Sequence, residues 1–207
     1  MGLERLAFFS DAVFAIVITL LILPISVDVA LPEEHGGLAP QVLALWPKLL
    51  SFLISFLVIG QFWIAHHRMF EHVRRYDHAL LWLNLVSLLT VSFLPFPTAL
   101  LGAHSTSDDH FAVIFYAASL TVASVALTVT WLYALHVGGL VDETLDPSAA
   151  TQFTMRSVLT SALFLVSAGA AFFGLPAAMV FWLVLLPAVR MLLARRYRRR
   201  QRLARAP

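Results

Sequence analysis

The stretch RLAFFSDAVFAIVITLLILPI, Arg5 to Ile25, decides the fold. Its apolar part has about the 20 residues that a helix needs to cross a hydrocarbon core of about 30 Å. A cleaved leader would carry a basic flank and a small-residue cleavage site. This flank instead holds both Glu4 and Arg5, and no such site follows. The run therefore reads as a retained membrane helix with an ionisable residue, Asp11, inside it.

The rest of the chain agrees. Of 207 residues 60% are hydrophobic and 13% charged, with a mean hydropathy of +0.84, more apolar surface than one soluble core can hide. With no cysteine, disulfides, thiolate metal sites and cysteine nucleophiles are excluded. Apolar stretches of spanning length fall at approximately 6–27, 45–67, 79–102, 111–136, 154–173 and 175–193. The expected fold is all-α, a polytopic membrane protein with six transmembrane helices. Residues 1–193 would form the membrane domain and 194–207 a basic cytoplasmic tail. Only Gly174 and Pro176 separate the last two stretches, so five helices with one long kinked segment is the alternative.

Lys and Arg gather in cytoplasmic loops, and acidic residues count for little. With the N-terminus inside, Arg5, then Arg68, Arg74 and Arg75 in the second loop, Arg156 and the tail all fall on the cytoplasmic side. Lys48 falls outside with Asp28, Glu33, Glu34, Asp108 and Asp109. Both termini are expected in the cytoplasm, in a cell inner membrane. The tail reads as an anchor beside anionic lipid rather than a nucleic-acid site. No internal repeat occurs, so any symmetry must come from several identical chains.

At membrane depth a carboxylate is expensive without a partner. On a helical wheel Ile16, Leu20 and Leu23 fall within about 60° of one another, and Asp11 points roughly 140° from Ile16. The polar residues expected at Asp11's depth are Ser10, then Trp63, His66 and His67 at the end of the second helix, and Asn84 near the start of the third. That coincidence predicts an interhelical hydrogen-bonded network. His66 and His67, adjacent and so about 100° apart, do not suit one metal ion. No metal site or cofactor is expected. Spacings such as HExxH, GxSxG, a P-loop or GxGxxG are absent, which speaks against an enzyme. From periodicity alone the aliphatic stripe would face lipid or a neighbouring helix. Thr19, about 60° from Ile16, either offers its hydroxyl to a passing cation or bonds back to its own helix.

The pattern Arg-x-x-x-Phe-Ser-Asp at Arg5, Phe9, Ser10 and Asp11, with FWIAHHRMF and LNLVSLLTVSFLPFPTALLG, resembles the prokaryotic members of the transmembrane protein 175 family of potassium channels. The resemblance covers roughly residues 5–102. It implies a homotetramer in the lipid bilayer whose first helix lines the pore. Rings of Ile16, Leu20 and Leu23 would then serve as hydrophobic gate and filter, with Ile16 nearest the cytoplasm and Thr19 flanking. It further implies that Arg5, Ser10, Asp11, Trp63, His66 or His67, and Asn84 hold the pore helix at its rotation. Monovalent cations, K+ above all, would permeate, with only weak to moderate preference over Na+ because nothing like a TVGYG carbonyl filter is present. A proton-coupled transporter using Asp11 and His66 or His67 is the alternative.

Overall fold

The computed structural model describes residues 2–28, 42–104, 110–137 and 140–175, with Ala178, Phe181, Trp182, Ala188 and Met191. Its described elements are helices: α1 (Leu3–Leu20), α2 (Leu23–Asp28), α3 (Trp46–His72), α4 (His78–Phe93), α5 (Pro95–His104), α6 (Phe111–His136) and α7 (Pro147–Ala170), then a short 3-10 turn at Ala171–Phe173. They make five spans of membrane length, Leu3–Ile25, Trp46–His72, His78–His104, Phe111–His136 and Pro147–Phe173. The chain is an all-helical, multi-pass membrane protein.

Prolines explain why two spans are broken. Pro24 has no N–H to offer the Leu20 carbonyl, so α1 stops there, turns at Leu21–Ile22 and resumes as α2. Pro95 and Pro97 split the third span at Leu94, where α5 starts with a proline in its first turn, the place a missing N–H costs nothing.

The expected sixth stretch, 175–193, lies largely outside the described residues, but those described decide how the chain enters it. A continuous helix would place Trp182 about 22 Å from Ser167 at 1.5 Å per residue. Instead the Trp182 indole donates to Ser167 Oγ at 3.0 Å and packs edge-on against Tyr116, the centroids 5.0 Å apart. The chain reverses at Gly174, whose φ of 94° is open to glycine at little cost. The single kinked segment is thus ruled out. The acidic residues Glu33, Glu34, Asp108 and Asp109 and the tail 194–207 lie outside the described residues.

Two expected boundaries need correction. Arg68 is not in a loop, because α3 continues to His72 with Met69 and Phe70 buried beneath it. The fifth span begins at Pro147 rather than near 154. Asp146 caps it by accepting from the Ser148 amide at 2.9 Å, and a polar first stretch, PSAATQ, runs ahead of the apolar part.

Since lipid tails are as apolar as leucine, helices in a membrane are joined by close packing and hydrogen bonds. Hydroxyl pairs do this throughout: Ser55 with Tyr116, Ser87 with Thr130, Ser124 with Ser161 and Thr128 with Ser157, each at 2.8 Å. Close packing is seen at Gly102 of α5, where an added Cβ would stand 3.1 Å from the Lys48 Cα of α3. We expect Gly102→Ala to force these helices apart and destabilise the chain by about 1–3 kcal/mol, read as a lower melting temperature in detergent.

At one end the connections after α3 and α6 lock together. Val73 pairs with Val141, the Arg74 amide donates to the Leu140 carbonyl at 2.7 Å, and the Arg74 guanidinium meets Asp142 at 2.8 Å. The Thr144 hydroxyl and amide and then Arg74 hold the Asp142 carboxyl down to about 2, so it is ionised at any ordinary pH. Asp77 caps α4 through the Leu80 amide and accepts from Tyr133 at 2.6 Å. Leu3 packs against this ledge, which places the start of α1 at the same end.

Candidate pore-lining helix and its supporting network

The two faces of α1 have opposite surroundings. Ser10, Phe14, Val17 and Leu21 are buried against the rest of the chain. Ile16, Leu20 and Leu23 are 57%, 40% and 52% exposed, and Ala12, Ala15 and Thr19 are exposed with them. The exposed positions recur every three or four residues, so they form one stripe along the helix. Thr19 Oγ donates to the Ile16 carbonyl at 2.8 Å, which commits its proton to its own helix and leaves only lone pairs toward the open side.

What holds the buried face is a chain of polar groups, His66 to Asn84 to Ser10. The His66 Nε2 lies 2.8 Å from Asn84 Oδ1, and Asn84 Nδ2 donates to Ser10 Oγ at 3.1 Å. Ser10 donates in turn to the Leu6 carbonyl at 2.9 Å. An amide oxygen can only accept, so Nε2 carries the imidazole proton. All three side chains are at most 2% exposed. The His66 ring sits between Phe70, stacked at 4.5 Å, and Phe14 at 5.5 Å. Three helices, α1, α3 and α4, are thereby tied at one level.

A second, more exposed chain runs beside it. Trp63 Nε1 donates to Asp11 Oδ1 at 2.8 Å, Trp63 stacks on His67 at 5.6 Å, and His67 Nε2 lies 3.6 Å from Glu71. The expected single network is therefore two chains. His67 joins only by ring stacking. Arg5 joins neither, because its guanidinium is exposed and makes no hydrogen bond or ion pair among the described residues; it lines a crevice of about 400 Å³ with Phe9, Tyr76 and Leu85. Among the described residues no three His, Asp or Glu side chains converge on a metal-sized site.

This geometry bears on proton relay. Asp11 is joined to an indole, which donates its one proton and cannot accept another, while His66 is joined to an amide. No hydrogen-bonded path among the described residues links Asp11 to either histidine.

Comparison with known proteins now adds a lineage. A family model described as the endosomal/lysosomal potassium channel TMEM175 matches residues 5–95, which include both chains of the network. A Streptomyces collinus protein named a potassium channel is 38% identical over 174 residues, 83% of this chain and 84% of that one. The chain belongs to the TMEM175 family. The human TMEM175, named an endosomal/lysosomal proton channel, is 29% identical over 156 residues, covering 75% of this chain and 30% of the human one. Among solved TMEM175 structures, that of a homologue from Chamaesiphon minutus, described as a lysosomal potassium-selective channel homologue, matches with a TM-score of 0.78 at 31% identity. That match covers 92% of this chain and 97% of the other. These relatives are named as ion channels, not enzymes.

Sequence reasoning on this TMEM175 chain missed Glu71, Phe14 and Phe70. Glu71 stands four residues after His67, a spacing that signals a helical neighbour once α3 is known to continue past Arg68. Phe14 and Phe70 carry no polar signal, and only packing reveals that they enclose the His66 ring.

Proposed function

We propose that this chain is a potassium-permeable cation channel of an inner membrane, working as a homotetramer with both termini in the cytoplasm. The observation that carries the reading is the open aliphatic stripe on a helix whose other face is fixed by buried hydrogen bonds. Four copies facing an axis would stack rings of Ile16, Leu20 and Leu23 over about 10 Å at 1.5 Å per residue. Such rings exclude water when narrow and admit ions when they widen, so one stripe would be both gate and filter. The names of the bacterial relatives support potassium as the permeant ion. The basic ends at Arg68, Arg74, Arg75 and Arg156 support the orientation.

In this reading Asp11, held by Trp63 and directed off the stripe, positions the helix rather than binding permeant ions. Asn84, Ser10 and His66 do the same from the buried side. The test is potassium flux into liposomes holding the purified protein, with no pH difference across the membrane. A channel gives a steady passive flux. Flux that appears only with a proton gradient would overturn the channel reading in favour of proton-coupled transport.

A further inference from the structure

We propose that the groove between α3 and α7, near the ledge, binds an anionic glycerophospholipid, whose phosphate is held by Arg68 and Arg156. Two cavities meet there. One of about 370 Å³ is lined by α3, α6, α7 and Met191, and one of about 230 Å³ opens beside Glu71 and Gln152. Arg68, Phe153 and Arg156 line both, so the two arginines belong to the stretch of wall that the cavities share.

Depth suits a headgroup. Arg68 is four residues, about 6 Å, short of the end of α3, and Arg156 follows the polar first turns of α7. Both sit near the level where headgroups give way to acyl chains, and arginine stems reach along apolar surface toward such a level. The planar guanidinium matches phosphate in a two-bond fork. Ser157 and Thr160 add hydroxyls to the larger cavity, and Ile64 and Leu127 give it an apolar wall. Glu71, the acidic residue lining the smaller cavity, lies 3.6 Å from the His67 imidazole.

A free phosphate would use the arginines but not the apolar wall. A volume of about 370 Å³ also belongs to the range of small-molecule sites rather than to a single small anion. The occupant that uses every feature has a phosphate and an acyl chain.

The experiment is native mass spectrometry of the purified protein titrated with phosphatidylglycerol or with phosphatidylcholine of the same acyl chains. Two arginines are expected to favour phosphatidylglycerol by about thirtyfold. That preference should fall to about fivefold in Arg68→Gln, an exposed site where the fold should tolerate the change, and vanish in Arg68→Gln/Arg156→Gln. Arg75→Gln, a loop change at the same end, should leave it intact. No preference in the parent, an unchanged preference in Arg68→Gln, or equal loss in Arg75→Gln would overturn the proposal. Displacement of the lipid by millimolar inorganic phosphate would also overturn it and make the groove a site for the free anion. Because binding is read and not flux, the outcome does not depend on the channel reading.

Discussion

Ile16→Asn should raise passive potassium flux about tenfold. In a homomeric ring every substitution is repeated in each chain, so about 0.4 kcal/mol per side chain over four chains is enough for about tenfold in rate. Asparagine supplies that in the needed direction, because its amide holds water where isoleucine repels it, and a wetted constriction no longer blocks a hydrated ion. Ile16 is 57% exposed in the single chain, so the exchange removes little internal packing and the protein should still assemble. The measurement is potassium uptake into liposomes at matched protein load, with sodium and caesium run in parallel. Leu20→Asn and Leu23→Asn belong in the same series. If Ile16→Asn conducts like the parent while Leu20→Asn leaks, the narrowest ring is one turn further along α1. If all three are silent, the stripe faces lipid or another helix and the channel reading fails.

The parts of this molecule that were legible in the sequence are those governed by periodicity. Ile16, Leu20 and Leu23 share a face because the helix repeats every 3.6 residues, and the same arithmetic separated His66 from His67: one is buried beside Asn84, the other exposed beside Glu71. Depth was legible too, since span and orientation together brought Ser10, Asp11, Trp63, His66 and Asn84 to one level. What hydropathy does not show is where a helix ends once it leaves the apolar layer. Arg68 and Glu71 interrupt the hydrophobic count of α3 without interrupting its backbone hydrogen bonds. Nor does it show partner choice, which rests on rotamers: Asp11 takes the Trp63 indole and leaves the Asn84 amide to His66 and Ser10. Arg5 was placed in the network by resemblance, and its exposure in the single chain is a property that no helical wheel of α1 alone could assign.

Asn84→Leu should lower both stability and flux, and the pairing of the two effects is the informative part. Leucine keeps much of the volume but removes the acceptor for His66 and the donor to Ser10. The His66 N–H is then buried without a partner, a loss of about 1–3 kcal/mol. That range lies above the roughly 0.6 kcal/mol average for interhelical hydrogen bonds in membranes because a buried ring is left unsatisfied as well. The control is Ser87→Ala, which breaks the Ser87–Thr130 bond between α4 and α6 and removes no hydrogen bond to α1 among the described residues. Melting in detergent should fall for both variants, further for Asn84→Leu. Flux per assembled particle should fall only for Asn84→Leu, since only there is α1 released from the rotation at which the proposed rings can widen together. Equal flux in the two variants would mean that the buried chain joins helices without setting the direction of the stripe, and that the rotation of α1 is fixed instead by contacts between chains.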